Sequence, residues 1–417
     1  MDGTGSVEQI ITLEALVYGG DALGRLPDGR AIFVPFALPG EKVRLRIVEQ
    51  KRGYARGELL EVLEPSPQRT APRCAHFGLC GGCHYQHLPY EAQLQAKTAI
   101  VREQLERLGG LVNVPVQPVV PSPDPFNFRN HIQFHLTQEG RLGYHRGQGE
   151  QAFAIQECHL PEPALNALWP QLDFEFIPDL ERIGLRLGAD GEIQLILESR
   201  DLQAPELVVE ELPVSVVHLS PAGPLVLAGG ASVVMEVLNR PFHVSAGSFF
   251  QVNTRVTEKM VAHLLQYLPE YQPLSNRTLL LDVYCGVGLF SAFLAGQVGR
   301  LVGIEASPSA ADDFVVNLDE FDNIELYQAP AELALPALGL QPDVILVDPP
   351  RAGLERRAMD GLLALSAPLL VYISCDLATL GRDARRLIQG GYRLAQVTPF
   401  DLFPQTYHIE TISFWHR

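Results

Sequence analysis

Six cysteines are the most chemically versatile residues of this chain, and they fall into two groups. Cys74, Cys80 and Cys83 are spaced C-x5-C-x2-C, and Cys158 follows much later in IQECHL. Four thiolates can hold an iron–sulfur cluster or zinc. Structural zinc usually pairs two short knuckles. Here three cysteines share one loop and the fourth is distant, an arrangement that suits a cubane better. Cys375 follows the apolar run PLLVYIS, and Asp376 and Thr379 fit the opening of a helix. A cysteine at that place is biased towards thiolate, the reactive form. Glu410 interrupts an otherwise apolar strand pattern. Burial there would raise its pKa and make it a proton acceptor. Cys285 reads as a packed strand-end residue.

A second constellation precedes Cys375. LLLDVYCGVGLFS (279–291) is a strand running into a glycine-bearing turn and then a helix. Gly286 and Gly288 let the backbone turn tightly beside a ligand. A dinucleotide fingerprint asks for a third glycine where this chain has Ser291. Asp282 stands at the strand end, and the next strand ends in Glu305, a carboxylate suited to ribose hydroxyls. These features alone fit NAD enzymes and methyltransferases equally. DVILVDPPR (343–351) separates the two, because an Asp-Pro-Pro turn after the fourth strand looks like the substrate-side motif of class I methyltransferases. The prolines stiffen that loop and project Asp348 into the cleft. The plainer reading of Asp348 is a helix N-cap.

These residues need elements to position them. From about residue 245, five apolar strands (TLLLDV, LVGIEA, IELY, DVILVD, PLLVYIS) alternate with amphipathic helices. That alternation predicts a doubly wound α/β sheet with the motifs at the carboxyl ends of its strands. Residues 7–65 read as a small all-β unit with turn signals GGDALG and PDGR. EAQLQAKTAIVREQLERLGG (91–110) is a helix with Leu94, Val101, Leu105 and Leu108 on one face. Residues 126–240 are β-rich, with a hairpin around Asp190-Gly191. The division is therefore 1–66, 67–240 and 241–417, as expected for 417 residues.

Bulk charge argues the other way from one local patch. The net charge of −17 disfavours a nucleic-acid partner. Yet residues 42–56 hold six Lys or Arg, and Lys42, Arg44 and Arg46 alternate on one strand face. FRNHIQFHL and RLGYHRG mix Arg129, Arg141 and Arg146 with Phe128, Phe134 and Tyr144, a combination that suits single-stranded RNA. The bland reading is a solvated strand face and ordinary core aromatics. His76, His84 and His87 read as RNA-facing or solvated rather than as ligands. No transmembrane run and no secretory leader is present, which predicts a cytosolic protein. A monomer is the default expectation.

Taken together, DVYCGVG, DPPR, SCD-x-ATL-x-RD and FPQT-x-H-x-E resemble the RumA/TrmA family of RNA uridine-5-methyltransferases. The resemblance covers the whole chain. The first 66 residues resemble a TRAM domain, an OB-like barrel that binds RNA in its family, and the early cysteines point to the TRAM-bearing branch. It implies a class I methyltransferase domain using S-adenosyl-L-methionine. It implies Cys375 as the nucleophile at uracil carbon six and Glu410 as the base that removes the carbon-five proton. Gln251, Tyr284, Gly286, Glu305 and Asp348 become the cofactor positions, and Cys74, Cys80, Cys83 and Cys158 the ligands of a [4Fe–4S] cluster. The implied substrate is 23S ribosomal RNA, with uridine 54 of tRNA as the alternative. Leu289 departs from the family, whose members often carry Asn there, so one cofactor hydrogen bond is expected to be missing. A non-catalytic iron–sulfur RNA-binding protein and a methyltransferase of small molecules or proteins are the competing classes.

Overall fold

The computed structural model describes residues 8–147, 149, 151–206 and 213–417. Parts of the first two sequence domains, residues 1–7 and 207–212 among them, lie outside the described residues. At the N-terminus, Glu8–Leu16, Ala22–Arg25, Ala31–Val34, Tyr54–Glu64 and Lys42–Gln50 close into a five-stranded barrel. Alternate residues such as Ile11, Leu13, Ile32, Val43 and Leu45 fill its interior, as period-two patterning requires.

The outward face of Lys42–Gln50 differs from the open basic patch expected from local composition. Lys42, Arg44 and Arg46 pair with Glu64, Glu61 and Glu58 on the antiparallel neighbour. The acids alternate in step with the bases, so the patch is largely neutralised by its own sheet.

A seven-stranded sheet forms the centre, in the order Gly223–Ala228, Val214–Ser220, Ile193–Ser199, Leu180–Leu187, His131–Leu136, Leu142–His145 and Ala152–Ala154. Leu180–Leu187 and Ile193–Ser199 make the antiparallel hairpin around Asp190-Gly191. Phe134 stacks on Tyr144 at 5.3 Å and packs on Trp169 at 5.7 Å. Phe128 is 5% exposed. These aromatics are core, which corrects the expectation that they face RNA. His87 is likewise buried, and His76 Nε2 accepts from the Gln156 amide, so neither is simply solvated.

The C-terminal sheet runs Ile324–Gln328, Arg300–Glu305, Leu279–Val283, Val344–Val347, Leu369–Ser374, Glu410–His416 and Arg393–Phe400. The five predicted strands are parallel, and Glu410–His416 inserts antiparallel between Leu369–Ser374 and the edge strand. Leu280, Leu346, Val371 and Phe414 pack on one face. Leu281, Val347, Tyr372 and Trp415 pack on the other, as a sheet covered on both sides demands. The hairpin Ser232–Val237 and Arg240–Ser245 joins the first of these cores. The helix Tyr90–Arg107 joins the second, lying against Leu377–Gln389 where Gly381 admits Leu108.

Candidate active site

The cofactor side is built at the carboxyl end of Leu279–Val283. The chain turns through Tyr284 (φ 64°), Gly286 (φ 55°) and Gly288 (φ 88°). A Cβ on Gly288 would stand 2.3 Å from Leu318 Cδ1, so only glycine fits there. A Cβ on Gly286 would meet nothing within 4 Å, so that side of the turn is open for a ligand. Glu305 Oε2 accepts from the Gly286 amide at 2.9 Å and Oε1 from the Ser307 amide at 2.7 Å, which locks two strand ends together. The third-glycine position, Ser291, is buried and donates to Asp282 at 2.6 Å. Gln251 is buried, and its carbonyl accepts from Asn130 of the central domain at 3.1 Å. Asn253 just beyond it caps the helix Thr254–Tyr271 through the Val256 amide. Leu289 packs into the apolar core, so that position serves packing.

Cys375 follows Leu369–Ser374 directly, and Asp376 Oδ1 caps Leu377–Gln389 by accepting from the Thr379 amide at 2.9 Å. Ser374 pairs with Thr411, and Glu410 pairs with Phe400. That register brings Cys375 and Glu410 to adjacent positions on neighbouring strand ends. Glu410 is only 5% exposed. Burial, and then the Asp348 carboxylate, push its pKa up to about 8, against the opposing Arg351 guanidinium. Burial and then Asp282 push Asp348 up to about 7. Asp348 is not a helix cap: the helix Arg356–Leu365 starts later and its N-cap is Glu355. The Cys375 thiol is pushed up to about 12, by burial first and then by Glu410 and Asp348. This corrects the thiolate expected from the helix start, because dry surroundings and two carboxylates outweigh a nearby dipole. Arg351, exposed beside the Asp-Pro-Pro turn, opposes them. It was visible in DPPR but carried no local signal of a role.

Lys97 was missed. It is fully buried, and its Nζ donates to Asp401 Oδ1 (2.5 Å), Phe403 O (3.2 Å) and His408 O (3.0 Å). It thereby fastens the FPQT-x-H segment that leads into Glu410. Its place between Leu94 and Val101 on the apolar helix face was the available signal.

Cys74, Cys80, Cys83 and Cys158 line one cavity of about 810 Å³ together with Arg129, Tyr144 and Glu157. All four thiols are free. Among the described residues, no three His, Cys, Asp or Glu side chains are close enough to hold one metal ion.

Residues 231–417 match the family model described as tRNA (Uracil-5-)-methyltransferase, and residues 7–60 match the TRAM domain. An uncharacterised RNA methyltransferase of Aquifex aeolicus is 35% identical over 97% of both chains. One from a Nostoc species is 33% identical over 95% of this chain and 93% of its own. The solved Pyrococcus abyssi tRNA (uracil-54, C5)-methyltransferase, in complex with S-adenosyl-L-homocysteine, shares the fold. Its TM-score is 0.74 at 24% identity, over 98% of this chain and 100% of that one. The family match and these relatives thus make the chain an S-adenosylmethionine-dependent RNA methyltransferase with a TRAM domain. The chain belongs to the RNA (uracil-5-)-methyltransferase family. No helix among the described residues is long and apolar enough to cross a membrane.

Proposed function

We propose that this protein forms 5-methyluridine in 23S ribosomal RNA, with Cys375 as the covalent nucleophile and Glu410 as the base. The observation that carries this reading is the pairing of Ser374 with Thr411, which sets the thiol beside a buried carboxyl. Uracil carbon five is too weakly nucleophilic to take a methyl group unaided. Addition of Cys375 Sγ to carbon six makes the ring an enolate equivalent. Asp348, with a pKa near 7, is the neighbour able to take the thiol proton. S-adenosylmethionine, when bound, supplies the methyl group that carbon five accepts. Glu410 then removes the carbon-five proton, and the thiolate leaves. Gln251, Tyr284, Gly286 and Glu305 would hold the cofactor, with Asp348 at its substrate edge. The target uridine must swing out of its RNA to reach this cleft. Arg129, stacked over Phe403 at 5.5 Å, lies where the central domain meets the Glu410 segment and contributes to the RNA groove with the barrel.

The experiment is to map 5-methyluridine in 23S ribosomal RNA and tRNA from cells lacking the gene. Loss from 23S RNA, restored by the wild-type protein, is the expected result. Loss at uridine 54 of tRNA instead would move the substrate to tRNA. No loss from either would leave a non-catalytic RNA-binding protein.

Cys74, Cys80, Cys83 and Cys158 would hold a [4Fe–4S] cluster, which ties the loop to the central domain and supplies rigidity rather than chemistry. Anaerobically purified protein should carry about four iron atoms per chain, lost in Cys158→Ser. Zinc, or no metal, would refute this.

A further inference from the structure

We propose that Tyr18 of the N-terminal barrel is a positioning residue for the nucleophile, so that the barrel is part of the methylation site and not only an anchor for RNA. The inference rests on Cys375 being the nucleophile.

The Tyr18 hydroxyl donates to Asp376 Oδ2 at 2.8 Å and accepts from the Leu377 amide at 3.3 Å. Both partners stand immediately after Cys375. Asp376 therefore divides its carboxylate. Oδ1 caps the helix through the Thr379 amide, and Oδ2 is held by a residue more than three hundred positions away in the chain. Leu377 is the first helical residue, whose N–H has no partner within the helix. On the other side of Cys375, Ser374 is fixed by its strand pairing with Thr411. The nucleophile thus sits between a sheet register and a hydrogen bond from a different domain.

The contact is built rather than incidental. Tyr18 lies in a tight turn closed by the Val17 amide to Asp21 O (3.0 Å) and the Gly20 amide to Val17 O (3.2 Å). Gly20 has φ 93°, and a Cβ there would stand 3.2 Å from the His84 ring, so glycine lets the barrel approach. Leu16 and Tyr18 pack against the apolar core under the catalytic sheet. The Tyr18 ring meets Tyr407 edge-on at 5.9 Å, and Tyr407 belongs to the segment leading into Glu410. Burial and the Asp376 carboxylate also keep the phenol protonated, as a donor must be. One tyrosine therefore touches the segments that carry both the proposed nucleophile and the proposed base. RNA seated on the barrel would load the same turn.

The test uses the full-length protein and transcripts of 23S ribosomal RNA and tRNA containing 5-fluorouridine. Fluorine at carbon five cannot be lost to a base, so the protein–RNA adduct accumulates and its rate reports addition at Cys375. At saturating protein, Tyr18→Phe should slow adduct formation about tenfold, the effect of losing a hydrogen bond to a charged group. RNA affinity and the thermal midpoint should stay unchanged. Asp376→Ser keeps a capping oxygen and removes the one Tyr18 holds. It should slow the adduct similarly, and the double variant should be no slower than the slower single one. Asp376→Ser leaves the barrel intact, so it decides the matter should Tyr18→Phe fold poorly. A wild-type rate in the variants, a loss confined to RNA affinity, or additive effects would overturn the inference. Wild-type protein that forms no adduct on either transcript would refute the nucleophile itself, and this inference with it.

Discussion

Cys375→Ala abolishes methyl transfer, by about four orders of magnitude or more, while leaving cofactor and RNA binding in place. The size of the effect follows from the chemistry. Without the sulfur there is no route to an enolate, and no neighbouring side chain can replace a thiol. The stability cost is small, because Cys375 is only partly buried and Asp376, not Cys375, caps the helix. Two measurements check it: labelled methyl incorporation into RNA, and adduct formation on 5-fluorouridine RNA. A variant that still methylates at more than a few per cent of the wild-type rate would sink the covalent scheme. The pH dependence adds a second handle. With the thiol pushed up to about 12, the free protein holds it protonated at neutral pH, so addition should quicken as pH rises. A cysteine stored as a thiolate would show no such rise.

Glu410→Gln is expected to stop the reaction later. Addition and methylation draw on the thiol, Asp348 and the cofactor but not on Glu410, so the methylated adduct forms and then cannot shed its carbon-five proton. Turnover should fall by about 10³-fold, with a protein–RNA species that survives denaturation. Gln has nearly the shape of Glu and cannot ionise, so the buried site should remain packed. In the wild-type protein, Glu410 must lose its own proton before it can accept another. Its pKa of about 8 lies above the usual carboxylate value, so the basic form grows as pH rises through 8. The release step should climb over that range and level off above it, and the variant's residual rate should not. Turnover near wild type without any trapped adduct would assign the base elsewhere.

Several residues owe their state to partners that lie far away in the chain. Lys42, Arg44 and Arg46 read as a free basic face because their acidic partners lie on another strand, Tyr54–Glu64. Phe134 and Tyr144 read as RNA-facing because a window of ten residues cannot distinguish a stacked core pair from an exposed one. The thiolate expected at Cys375 considered the helix start and not the two carboxylates brought in from Val344–Val347 and Glu410–His416.

What the sequence determined by itself was whatever depends on neighbours along the chain. Apolar runs of strand length, the Gly286–Gly288 turn, the Asp376 cap and the place of Cys375 at a strand end are all local. They are legible because backbone sterics and side-chain period act over a few residues. Only the tertiary structure decided which of these ends meet. Glu410–His416 inserts beside Leu369–Ser374 rather than at the sheet edge, and that alone puts the carboxyl next to the thiol. Lys97 reaches Asp401 and Tyr18 reaches Asp376 across most of the chain, through pairings set by strand order and helix docking. Such contacts form because buried polar groups must find partners wherever the fold delivers them, and no stretch of sequence contains both halves.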